Sequence, residues 1–147
     1  MSGRAGTGWT VMAVPLPSDS INSYLSGVSC RTATDCAAVG SYGLFNQDTG
    51  LFAERWNGSR WTVQVLPHPA AAAFALTAVS CSSGRSCTAG GAAGGVQVNT
   101  YSTATAESWD GTTWTEQTTP VPPKTIGSEL NGVSCLGPRV LHNRGGR

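Results

Sequence analysis

Charge is scarce in this sequence, and so are helix-forming runs. Only 12% of its 147 residues are Asp, Glu, Lys or Arg, and the net charge is +1. A chain so balanced sets up no field that gathers nucleic acid or an anionic membrane. Its basic residues also form no stripe interleaved with aromatics, so nucleic acid is not an expected partner. No apolar stretch approaches the roughly eighteen residues that cross a bilayer, so no membrane span is expected. The Val-Met-Ala-Val patch at 11–14 is too short for the apolar part of a secretion signal. No segment keeps a 3.6-residue apolar period. The Ala-rich run at 70–75 follows Pro67-His68-Pro69 and is too short to stand alone as a helix.

Chemistry motifs are missing as well. The glycine cluster at 90–95 lacks the lysine and the following helix of a phosphate loop. There is no nucleophile elbow and no serine with a neighbouring histidine and acid. The two histidines, His68 and His142, match no recurring position and give a metal no ligand set. No cofactor or metal is expected, and no catalytic residue is assigned.

What is present is glycine, small polar residues, tryptophan and a repeat. The repeat is the strongest signal in the chain. Leu25-Ser26-Gly27-Val28-Ser29-Cys30 returns as Leu76-Thr77-Ala78-Val79-Ser80-Cys81, and again as Leu130-Asn131-Gly132-Val133-Ser134-Cys135. Trp9-Thr10-Val11, Trp61-Thr62-Val63 and Trp114-Thr115-Glu116 recur at the same interval of fifty-odd residues. Trp56-Asn57-Gly58-Ser59 matches Trp109-Asp110-Gly111-Thr112, and Cys36 matches Cys87.

Each unit reads as four short strands, at 25–30, 36–42, 51–56 and 61–66, then at 76–81, 87–91, 104–109 and 114–118. Asn57-Gly58 and Asp110-Gly111 are strong hairpin signals, because both residue types tolerate positive φ. In the strand at 61–66, Trp61, Val63 and Val65 alternate with Thr62 and Gln64, as a half-buried strand does. Four antiparallel strands in about fifty residues is the pattern of a propeller blade. The expected fold is all-β, a partial β-propeller of about two four-stranded antiparallel blades with flanking single strands. A β-sandwich is the rival, but it does not predict a repeat of this length.

The run Leu-Ser-Gly-Val-Ser-Cys, the Cys-Ala-Ala-Val-Gly-Ser-Tyr after it, and Glu-Arg-Trp-Asn-Gly-Ser-Arg-Trp-Thr-Val-Gln resemble a known family. They look like the Trp/Cys-containing blade repeats of exported propeller proteins from high-GC Gram-positive bacteria, with a kelch- or sialidase-like layout. The resemblance runs from about Trp9 to Cys135. It implies an extracellular or cell-surface parent protein, most of whose relatives have no assigned activity. The resulting division is a stub strand with a variable loop at 8–24, a first blade at 25–66 and a second at 67–118. The start of a third follows at 119–135, then a disordered basic tail at 136–147. After Cys135 the pattern asks for a second Cys that this chain lacks, and the sequence turns basic. Two blades with stubs close no ring, so a fragment is expected, completed by missing blades of the parent chain or by self-association.

Cys30 with Cys36, and Cys81 with Cys87, share one spacing. Disulfides are expected there, with reduced thiols and a metal site as the alternatives. Cys135 has no partner in this pattern. Glu54 and Glu107 are a tempting carboxylate pair, but they occupy one slot in successive units, and catalytic carboxylates must converge. Trp56, Trp61, Trp109 and Trp114 are expected to pack between blades, with sugar stacking as the alternative use. Asn57-Gly58-Ser59 is formally a glycosylation acceptor and is read as a turn.

The connections differ in how they vary. The Cys turn and the Asn/Asp-Gly turn are constant, whereas 43–50 differs from 92–103 and 67–75 differs from 119–129. In an antiparallel blade all the variable connections emerge together, and loops on a rigid scaffold are where binding sits. The candidate binding residues are therefore Asn46, Gln47, Asp48, His68, Asn99 and Tyr101, with neutral drift as the bland alternative. The expected function is a non-catalytic binding or scaffolding module, with carbohydrate or a cell-surface component as ligand. Two further readings are a piece of a propeller glycoside hydrolase or lyase whose active site lies in absent blades, and a nonfunctional gene remnant.

Overall fold

A computed structural model describes residues 8–46, 49–66, 72–95, 103–117, 119–120, 122–124 and 126–136. Among them the regular structure is all strand. The elements are β1 (Asn22–Thr32), β2 (Asp35–Gly43), β3 (Thr49–Trp56), β4 (Trp61–Val65), β5 (Ala72–Ser83), β6 (Ser86–Gly95), β7 (Thr103–Trp109) and β8 (Trp114–Gln117). They form two antiparallel sheets, in the orders β1-β2-β3-β4 and β5-β6-β7-β8.

The two sheets share one register. Cys30 lies opposite Cys36, Cys36 opposite Trp56, and Trp56 opposite Trp61. In the second sheet the row reads Cys81, Cys87, Trp109, Trp114. Each first hairpin slips register at the same place, between Leu25 and Gly27 and between Leu76 and Ala78. A bulge of this kind bends the strand over its neighbour. Gly40 and Gly91 face it, and a Cβ on either would overlap the carbonyl oxygen of Tyr24 or Ala75.

The constant turns are locked from within. Asn57 Oδ1 accepts from the amides of Ser59 (2.8 Å) and Arg60 (2.9 Å), and Asp110 Oδ1 from those of Thr112 (2.8 Å) and Thr113 (2.9 Å). Only the glycine of each pair takes positive φ, 98° at Gly58 and 102° at Gly111. The connection is thus a four-residue loop closed by an Asx turn, not the two-residue turn in which both positions would be left-handed. The hydrogen bonds that lower the Asp110 carboxyl below its usual range are these same turn amides. Trp56 Nε1 donates to Ala33 O at 3.0 Å and Trp109 Nε1 to Gly84 O at 3.1 Å, tying the turn before each second strand to the turn after each third.

Both expected disulfides are formed, Cys30–Cys36 and Cys81–Cys87, and Cys135 is free. Two such bridges are consistent with an extracellular protein. Replacing Cys30 and Cys36 together by Ser should cost roughly 2 kcal/mol, the chain-entropy value for so short a loop. A urea titration reads this as a lower midpoint, and an unchanged midpoint would refute it.

The sheets join face to face. Ala37, Val39, Leu51, Ala53 and Leu66 of the first meet Leu76, Val79, Cys87, Ala89, Trp109 and Trp114 of the second in one buried cluster. The polar links are as specific. Ser29 Oγ accepts from the Cys81 amide at 3.0 Å, and Trp114 Nε1 donates to Gln64 Oε1 at 3.1 Å. A Cβ on Gly27 would press against the Ala78 backbone at 3.0 Å, so the strands β1 and β5 run close.

The outer segments depart from expectation. Residues 9–11 and 130–135 form no strand, and among the described residues no strand pairs with either. Leu130 and Cys135 nevertheless bond to the second sheet: Leu130 N to Gly91 O at 3.0 Å, and Cys135 N to Ser80 Oγ at 3.0 Å. Beyond Leu136, the expected basic tail lies outside the described residues.

Candidate functional site

The antiparallel order places the β1–β2 and β3–β4 turns at one end of each sheet and the β2–β3 turn and the exit of β4 at the other. Of the six candidate binding residues, Asn46 sits in the β2–β3 turn and is exposed. Gln47, Asp48, His68, Asn99 and Tyr101 lie outside the described residues. Phe45, beside Asn46, is 86% exposed. An aromatic in a variable connection is the one sequence signal that marks it.

At the other end lies a charged junction that the repeat could not reveal. Asp35 accepts from Arg31 Nη2 at 2.6 Å and Nε at 2.9 Å, and from Arg55 Nη2 at 3.0 Å. Arg55 also reaches Cys87 Sγ at 3.4 Å and stacks 5.3 Å over the Trp109 ring. In the second sheet the corresponding positions are Ser82, Ser86 and Ser108. The junction therefore has no counterpart in the second sheet; Asp35 balances one of its two arginines, and Arg55 alone reaches across the joint, to Cys87 and Trp109.

The buried acids are the strongest chemical feature. Glu54 and Glu107 are 0% and 1% exposed. Burial raises both pKa values from 4.5 to about 7, and at Glu107 the charge of Glu116, opposite it on β8, adds to the rise. Among the described residues neither Glu54 oxygen has a hydrogen-bond partner, nor has Glu107 Oε2. A raised pKa in a cleft is what a general acid needs, so their mutual placement decides. Glu107 shares a face with Ala89 and Trp109, the face turned toward the first sheet. Glu54 shares a face with Ala38 and Val63, the face turned away from the second. The first sheet thus stands between the two carboxyls, which build no common site.

The tryptophans divide in the same way. Trp109 and Trp114 are 9% and 7% exposed inside the joint. Trp56 and Trp61, with ring centroids 5.5 Å apart, are half-buried on the outer face of the first sheet. There they line a cleft of about 460 Å³ with Met12, Thr34, Cys36 and Gly58. Trp9 stands free in solvent. Among the described residues no three His, Cys, Asp or Glu side chains group to hold a metal, and no helix is long and apolar enough to cross a membrane.

Compared with protein-family models, curated proteins and solved structures, the chain finds no match in any of the three.

Proposed function

We propose that this chain is a non-catalytic module of an exported β-propeller-type repeat protein. In this reading its sheets are blades, and its variable connections carry a binding surface for carbohydrate or another cell-surface ligand. One observation carries the reading: the two sheets have the same order, register, bulge and turn geometry, while the connections at one end differ. A scaffold held constant under varying loops is how binding surfaces are built. The two disulfides fit an exported parent.

The hydrolase alternative gains nothing from the chain's own acids, since Glu54 and Glu107 repeat one structural slot on opposite sides of a sheet. A cell-wall glycan array probed with the whole chain tests the reading. Binding should survive Glu54→Gln with Glu107→Gln, and should fall at least tenfold when Asn46, Gln47 and Asp48 are changed together to Ala. Absence of binding to every glycan and cell-wall preparation, or a hydrolytic activity lost in Glu54→Gln, would overturn it.

A further inference from the structure

Val28 and Val79 hold the same place in their sheets, opposite Ala38 and Ala89. Yet Val28 is 62% exposed and Val79 only 8%. Leu25 and Leu76 repeat the contrast, at 43% and 0%. The difference is the neighbour: the first sheet covers Val79 and Leu76, and among the described residues no sheet covers Val28 and Leu25. In its place is a groove of about 380 Å³ lined by Leu25, Ser26, Gly27, Val28, Ala38 and Trp61.

The second sheet carries the matching half of the joint. Gln117 lies opposite Ala106 as Gln64 lies opposite Ala53. Ser80 stands where Ser29 stands, and its Oγ already accepts a backbone amide, that of Cys135, as Ser29 accepts that of Cys81. Thr77 Oγ1 donates to Leu130 O at 2.6 Å, and a Cβ on Gly90 would meet Leu130 at 3.2 Å. Residues 130–135 thus occupy, on the second sheet, the place that β5 occupies on the first. Their sequence, Leu-Asn-Gly-Val-Ser-Cys, differs at one position from the Leu-Ser-Gly-Val-Ser-Cys of β1.

From this we infer that the open face of the first sheet is a self-assembly surface, and that its occupant is the outward face of the second sheet of another copy of this chain. The inference rests on the blade reading above. The register is that of the internal joint, so Trp61 Nε1 meets Gln117 of the second copy as Trp114 meets Gln64. Residues 130–135 act as a cap. They resemble the β1 segment they keep out, and an incoming copy's Leu25 and Cys30 remake the bonds of Leu130 and Cys135. Met12, against Trp56 and Trp61, must also give way. The exchange replaces like with like on β5 and adds the burial of three further strands. The two surfaces differ, so the contact is heterologous and closes into a ring or runs on as a filament. Each copy brings two sheets, and a ring of roughly four to eight blades takes about two to four copies.

The test is the mass of the full chain by light scattering after size exclusion, over a wide concentration range. All variants carry Cys135→Ser, which keeps the backbone amide and removes the free thiol. Leu130→Asp loosens the cap and should lower the concentration for assembly at least tenfold. Adding Val28→Glu should return that variant to monomer. If Leu130→Asp proves unfolded by near-ultraviolet circular dichroism, the milder Leu130→Ser replaces it. A folded cap variant that stays monomeric at every concentration overturns the inference, and so does assembly indifferent to Val28→Glu. Failure of the internal joint, from which the register is taken, would look different: Trp114→Ala would leave the unfolding midpoint unchanged.

Discussion

Raising the pH from 4.5 to about 7 should destabilise the folded chain, and replacing Glu54 and Glu107 by Gln should abolish most of that loss. Both carboxyls are held near pKa 7 by burial, against 4.5 when exposed. Between those values the folded state keeps two protons that the unfolded state has released. Stability is therefore fully present at and below pH 4.5, falls through the window and levels off above about pH 7. Each pH unit in the window is worth about 1.4 kcal/mol per carboxyl, so each group contributes on the order of 3 kcal/mol. For a domain of this size that is a fall in Tm of roughly 10 °C for each carboxyl. Below about pH 4 the Asp110 turn works in the opposite direction, because its lowered carboxyl loses stability as it takes up a proton.

Thermal melts at half-unit steps from pH 4.5 to 8 give the slope directly. Glu54→Gln and Glu107→Gln each keep a neutral side chain of the same shape, and each should remove about half of the slope. Glu116→Gln should narrow the window at Glu107 alone, by removing the negative charge across the strand pair. A flat profile in the unsubstituted chain, or a slope unaffected by the two substitutions, would show that these carboxyls are charged in the folded state.

The sequence placed both glutamates in one repeated slot but could not give their protonation. That depends on which face of each sheet is covered, and period-two alternation does not say which neighbour covers it. The same limit applies at Arg55. Its partners Asp35, Cys87 and Trp109 come from three other strands and from both sheets, and only one copy has them. Strand centres, cystine pairs and turns were legible because each is local and marked by Trp, Cys or Gly. Strand ends were not. β5 and β6 extend to Ala72 and Gly95 through alanine and glycine, residue types with little strand propensity of their own; there the sheet partner, not the side chain, sets the conformation. The expected flanking strands failed for the converse reason, since residues 9–11 and 130–135 have strand-like sequence and no ladder partner among the described residues. Of the candidate binding residues, only Asn46 falls within the described chain, at the end where the connections vary.

Truncating one tryptophan should cost far more than truncating its repeat equivalent. Trp114→Ala should lower stability by about 3–5 kcal/mol, the range for a large aromatic removed from a core. Trp61→Ala should cost less than half of that. In sequence the two are interchangeable, each opening the last strand of its sheet opposite another tryptophan. They differ in what covers them. Trp114 lies between the sheets, and its indole holds Gln64 Oε1, which loses its partner on truncation. Trp61 faces a cleft closed only in part by Met12, so its removal leaves a space that water already enters. Guanidinium denaturation of the two variants at one pH decides the matter, and equal costs would mean that the outer face of the first sheet is as well covered as the joint. The contrast also reports on assembly. In a Leu130→Asp chain above its assembly concentration, Trp61 should gain a sheet neighbour, and its truncation should then cost as much as that of Trp114.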